Sequence, residues 1–462
     1  MTLRAGAASR DISPTRPMFL FGYAHVPRLS NGTHDPLLVA ALYLHDSGPR
    51  ARLEGQHRRG AQSRGLGEVS GEANAVLFVA ADVLMLSHDV IRACRATVGR
   101  QTGIPEGNIL ISTTHTHSAP VTANLLAFRD DHVVPPADPE YLDRVSGAIV
   151  EAAVEAQASA VPACAAVTRA IVAGIGGNRH DPNGPRDPEV GILYLRELRT
   201  GRPLALSAIY SMHPTVLHED STLASADFPG YARLLLAEGL PGVKVLYHTG
   251  PSGNQSPRYH VSGQTFAEAE RLGRALGAAI LDAVRALRDS DFSTEVPVAA
   301  AQAFVELPGR HLPTVKEAEQ ALAAAVAQFE RLKAEGAPHG PTRTAEVAAL
   351  GAEEQFTLAR AQEQGELEVL RRDYTPVEVQ VLRVKDTFFA GLPGELFVEY
   401  GLEIKAGAPG RSFVISLANG ELQGYIVTPD AAGYEASFSI FAPQAGHVLV
   451  EAALELMYRL SG

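Results

Sequence analysis

Short apolar runs bounded by Gly, Pro, Asn or Asp alternate with longer amphipathic segments along almost the whole sequence. That alternation restricts the chain to the α/β class, because the runs need a shared sheet and the amphipathic segments need its faces. Strands are predicted in "PLLVAALYLHD", "NAVLFVAADVLML", "NILIST", "CAAVTRAIVAGI", "VGILYLREL", "PLALSAIYSMHP" and "VKVLYHTG". Later strands are expected in "VPVAAAQAFVEL", "TPVEVQVLRVKDTFFAGLPGE" and "RSFVISLANG". Between them, "HDVIRACRATVGRQTG" reads as a helix with Ile91, Cys94 and Val98 on one face and Gly103 near its end. A second helix is expected where Asp138 can cap before Pro139 and Leu142, Val145, Ile149 and Ala152 recur at helical spacing. Further helices fit "FPGYARLLLAEGLPG", residues 265–287 and the closing "AGHVLVEAALELMYRL". Because some strands return without a crossover helix, the sheets are expected to be mixed and flanked by helices. A two-domain α+β arrangement is the competing reading.

The helical pattern is strongest at Thr314 to Gly336, where Thr314 and Glu317 can form a capping box. A second helical stretch follows a Pro and Gly break at 337–341. Residues 313–364 thus read as a helical pair laid over a single integrated α/β domain of residues 1–462. Packing on the body is the commoner role of such a pair, and covering a cleft or joining two copies into a homodimer are the secondary ones.

With 462 residues and 46% apolar content the chain can bury a large core. Forty Lys plus Arg against 52 Asp plus Glu give a net charge of -12, which supplies no general attraction to nucleic acid or an anionic membrane. Cys94 and Cys164 are the two cysteines, so neither a disulfide framework nor a CxxC metal knuckle is present, although one pairing stays open. The first residues lack a signal-peptide core, and no uncharged apolar run approaches the roughly 18 residues of a membrane span. A cytoplasmic protein without integral membrane association is therefore expected.

Chemistry concentrates where strands end. His115 and His117 in "THTHSAP" are two residues apart, so extended backbone would turn both imidazoles to one side. Neutral imidazole suits a metal, yet an HxH pair alone fits packed histidines equally well. His213 in "SMHPT" leaves another strand, and Glu395 in "GLPGE" offers a carboxylate after a third. Three such ligands and a water make a catalytic zinc centre, but spacing alone does not close the set.

Taken together, "GTHDPL", "VAADVL", "THTHSAP", "GNRHDPNGPRDPEVG", "ADFPGYA", "GNQSP", "GLPGE" and "GYIVTP" resemble the catalytic domain of neutral and alkaline ceramidases and their homologues. The likeness is distributed from about residue 5 to residue 450. It implies zinc-dependent hydrolysis of an N-acyl amide, typified by ceramide, on a mixed α/β catalytic domain. By the same resemblance His115, His213, Glu395 and Tyr425 would hold Zn2+. His117 would stand beside them to polarise the substrate or donate a proton, and Arg179 in "GNRH" would line the pocket. Ser256 in "GNQSP" falls where the family carries a serine, and would orient substrate before acting as a nucleophile. Tyr434 in "GYEASFS" matches a family tyrosine and can equally be a packing residue.

The expected substrate is a small N-acyl compound or a lipid such as ceramide. Two departures loosen the lipid assignment: "GNQSP" replaces the family's "GDVSP", and no leader or C-terminal immunoglobulin-like domain is expected from the sequence. A zinc-dependent esterase or lactonase, or a non-catalytic metal- or ligand-binding homologue, remain the alternatives.

Overall fold

The computed structural model describes residues 2–46 and 74–461. Strands β1 (Leu3–Asp11), β2 (Leu38–Asp46) and β3 (Ala75–Ala81) lead into helix α1 (His88–Thr102), and strand β4 (Ile109–Thr113) precedes α2 (Pro139–Ala158). Next come β5 (Val161–Ile171), the short β6 (Gly177–Asn178), β7 (Glu189–Glu197), β8 (Pro203–Tyr210) and α3 (Asp227–Gly239). Strand β9 (Lys244–Thr249), the short β10 (Gln255–Ser256) and α4 (Phe266–Arg285) follow. The chain continues through β11 (Val298–Val305), α5 (Val315–Ala334), α6 (His339–Glu363) and α7 (Glu366–Tyr374). Strands β12 (Val377–Val384), β13 (Thr387–Gly391) and β14 (Glu395–Leu396) then precede α8 (Val398–Gly407). Finally β15 (Arg411–Ile415), β16 (Tyr425–Ile426), α9 (Tyr434–Phe438) and α10 (Ala445–Ser461) close the fold.

Eight strands form one mixed sheet in the order β4-β3-β2-β1-β5-β7-β8-β9. Its interior pairs are antiparallel, and its two edge pairs, β3 with β4 and β8 with β9, are parallel. A four-stranded sheet, β11-β12-β13-β15, packs against one face. Alternation along β2 shows the layering: Ala40, Leu42 and Leu44 enter the core between the sheets, while Val39, Ala41 and Tyr43 face α1 and α2. Burial on both faces is why these strands read as nearly continuous apolar runs. Helices α3 and α4 cover the β7 to β9 part of the same outer face, and α10 covers the back of the smaller sheet. The expected mixed α/β architecture is therefore the one observed.

The two edges of the large sheet meet. Ser112 on β4 lies 2.7 Å from Nδ1 of His248 on β9, and the Thr249 hydroxyl donates to the Thr114 carbonyl at 2.7 Å. Residues 416–418, just past β15, bridge both edges, since Ser416 N–H donates to Thr249 and Thr113 N–H donates to Leu417. The exits of β4 and β8 are thereby brought to one place.

Capping explains the helix starts. Ser87 accepts from Val90 N–H, Asp138 accepts from Tyr141 N–H with Pro139 in the first turn, and Thr314 and Glu317 form the reciprocal box. Three features differ from the sequence expectations. β1, "LRAGAASRD", is a strand that its small residues hid, while α7 and α8 went unread beside longer signals. Helix α6 begins at His339, because Gly340 and Pro341 fall in its first turn, where a missing N–H costs no helical bond. Cys94 and Cys164 are both free and buried, which closes the pairing left open above.

Candidate metal centre

His115 follows β4 in a left-handed backbone conformation, φ +63°, that a non-glycine residue adopts only where its surroundings enforce it. Its N–H donates to Val83 and its Nδ1–H to the Leu84 carbonyl at 2.9 Å. Two positions on, His117 donates Nδ1–H to the Gly22 carbonyl at 3.0 Å. His213, beyond the end of β8, donates Nδ1–H to the Ser252 carbonyl at 2.6 Å. A carbonyl only accepts, so all three protons sit on Nδ1 and all three Nε2 atoms present lone pairs. The expectation that extended backbone would align His115 with His117 fails at the left-handed turn, yet the rings still converge, with centroids 5.0 Å apart.

The three imidazoles form a group whose ligand atoms lie within 4.8 Å of one another and can hold a metal ion. Nε2 of His115 and Nε2 of His213 face each other at 3.1 Å, and each is 3.2 Å from Oε2 of Glu395. Ligands about 2.0–2.1 Å from a tetrahedral zinc stand about 3.3–3.4 Å apart, so this triangle fits the face of such a shell. Three electron-rich atoms packed this closely need a cation or protons among them. Burial pushes His213 down to about 4, and burial with the neighbouring His115 and His213 holds His117 well below the usual range, so burial disfavours a proton on these two rings. Nε2 of His117 is buried and has no hydrogen-bond partner.

Tyr425 reaches the same place through the backbone, because β14 and β16 pair in parallel with Glu395 opposite Tyr425. Burial and the Glu395 charge hold its phenol well above the usual range, with Arg179 acting in the opposite sense. The Arg179 guanidinium lies 5.5 Å from the Tyr425 ring centroid and its Nε is 2.6 Å from Oε1 of Glu435. Burial works against that charge, but Glu435 and Tyr425 outweigh it, and both Nε and Nη2 are buried without a hydrogen-bond partner, the Nε contact with Glu435 being an ion pair. Ser256 on β10 pairs opposite Gly177 on β6, two residues before Arg179, and its hydroxyl oxygen accepts from Arg258 N–H at 3.1 Å. The hydroxyl thus shapes the turn at Pro257 while keeping its own proton to donate. Tyr434 stands beside Tyr425 with ring centroids 6.1 Å apart.

All seven sequence-selected residues are buried or nearly so and cluster around these strand ends. Two participants escaped the sequence reading. Glu435 anchors Arg179 and also lies 2.9 Å from Nε2 of His180, and Arg179 holds its carboxyl at about 2 against the cost of burial. Its place directly after Tyr434 is by itself no signal. Gly22 was the other: at φ +118°, a Cβ there would stand 2.5 Å from Nδ1 of His117.

Among the described residues no helix is long and apolar enough to cross a membrane. No protein-family model matches the sequence, and no curated protein sequence matches it. Solved structures do match the fold, two ceramidases among them. Neutral ceramidase from Pseudomonas aeruginosa gives a TM-score of 0.70 at 16% identity, over 99% of this chain and 75% of that one. A ceramidase complexed with C2 gives 0.71 at 15% identity, over 100% of this chain and 75% of that one. The chain therefore has the neutral ceramidase fold, and its histidine cluster lies within that fold.

Proposed function

We propose that this protein is a zinc-dependent hydrolase of N-acyl amide bonds. The observation that carries the reading is the tight triangle of His115 Nε2, His213 Nε2 and Glu395 Oε2, with both histidines fixed by backbone carbonyls. His115, His213, Glu395 and Tyr425 would hold the ion. When bound, zinc supplies Lewis-acid polarisation of a carbonyl and a water acidic enough to attack near neutral pH.

The chain's own groups supply the rest. His117, neutral and with its proton fixed on Nδ1, offers Nε2 to take a proton from water and return it to the departing amine. Arg179 remains charged, and its Nη2 is available to the oxygen that becomes negative as the carbonyl is attacked. Glu435 fixes the guanidinium so that it need not reorganise. Ser256 donates its hydroxyl to orient the substrate. A shared fold with enzymes named for ceramide supports N-acyl substrates as the panel, from ceramide to short amides.

The test is metal analysis of protein purified without added zinc, followed by hydrolysis of N-acyl amines, ceramides and esters. Expected are about one zinc per chain and amide turnover that a chelator abolishes and zinc restores. His213→Ala should lose metal and turnover together while the fold persists. Absence of retained metal and of metal-restored hydrolysis would overturn the reading, and ester-only turnover would reassign the chain as an esterase.

A further inference from the structure

We infer that Glu354, on α6, forms with Tyr434 a subsite for a positively charged ammonium group on the amine portion of the substrate. This rests on the amide-hydrolase reading and names a feature of its substrate. Glu354 is 3% exposed, and its Oε1 accepts the Tyr434 hydroxyl at 3.2 Å. Its Oε2 is buried with no hydrogen-bond partner. A buried carboxyl oxygen left without a donor is costly, and the cost falls when a ligand supplies the donor.

The position connects it to the proposed reaction centre. Tyr434 flanks Tyr425, which pairs opposite Glu395. Charge selects among donors. Along the seam between α6 and the loops beneath it, Asp131 and Glu353 share His25, and Asp130 pairs with Arg360. Among the described residues of that seam, Glu354 alone has no basic partner, and the charges acting on it are those of Glu353 and Asp131. Two acids and an unmatched carboxyl oxygen favour a cation over a neutral hydroxyl. Burial, with those acids, pushes the empty Glu354 carboxyl well above its usual range; an ammonium group would take the place of its proton.

Three N-acyl amides, alike except for an amine portion ending in ammonium, hydroxyl or methyl, provide the test. Binding is measured calorimetrically to the full chain kept in chelator, where turnover is absent, and hydrolysis is measured separately on the zinc-loaded chain. The ammonium compound should bind at least tenfold more tightly than the other two. Glu354→Gln, near isosteric, and Glu354→Leu should each bring the three within about twofold. Equal binding by the wild type, a hydroxyl compound binding as well as the ammonium one, or a preference that survives in Glu354→Gln would overturn the inference. Loss of hydrolysis with the binding preference intact would instead count against the amide-hydrolase reading alone.

Discussion

His117 has a place fixed by a residue that carries no side chain. Gly22 supplies the carbonyl for Nδ1 and leaves the space in which the imidazole sits. Gly22→Ala would set a methyl 2.5 Å from Nδ1 on backbone at φ +118°, so the ring must move. If His117 moves protons and holds no metal, kcat should fall by about 10²-fold or more with zinc content unchanged, as loss of general acid-base help predicts. Metal analysis beside the kinetics checks this, and parallel loss of zinc would make His117 a ligand, which the three-histidine group also permits. At this scale the sequence displayed the candidates and hid their arrangement. "THTH" was legible, but His115 meets His213 across 98 residues, and only the folded sheet sets that contact. Glu435 was invisible because an acid beside a tyrosine has no spacing that distinguishes an anchor from a solvated charge.

Helices α5 and α6 differ in what they touch. Only Ala318 is buried among the described residues of α5. Helix α6, by contrast, sends Glu354 to Tyr434, Arg343 to Glu219 at 2.8 Å and Arg360 to Asp130 at 3.1 Å. Glu219 adjoins His218, whose ring lies 4.8 Å from that of Tyr23, and Tyr23 lies 5.2 Å from His117. These contacts dock α6 beside the histidine cluster, which makes covering of the site a testable role for the 313–364 segment. The existence of the pair was legible from capping and composition, whereas its docking was not, because salt bridges between a helix and distant loops leave no periodic trace. Both pairs are partly exposed and each contributes about 0–1 kcal/mol. Replacing Arg343 and Arg360 together by Ala should therefore leave the melting temperature nearly unchanged while loosening the cover. We expect kcat/KM for a long-chain amide to rise several-fold relative to a short one. An unchanged ratio would remove α6 from substrate access.

At the level of the whole molecule, meeting of the β4 and β9 edges aligns the two histidine-bearing strand exits, and it places a titratable group in the core. His248 is fully buried, held at Nδ1 by the Ser112 hydroxyl, and its Nε2 has no hydrogen-bond partner. Burial pushes it down from the ordinary 6.5 to about 3. The unfolded chain therefore binds a proton that the folded chain refuses as pH falls below about 6.5. The neutral-His contribution is complete above that pH and is lost progressively as pH drops towards about 3, at about 1.4 kcal/mol per pH unit. His117 and His213, also buried and depressed, add to the same slope in the metal-free chain. His248→Gln keeps a polar partner for Ser112 and removes one titration. Urea unfolding of the chelated protein at pH 7, 6 and 5 should show a shallower acid dependence in that variant, by a difference that grows to about one proton near pH 5. A slope identical to the wild type would mean that His248 is charged in the folded state, and that the closed sheet admits water at its seam.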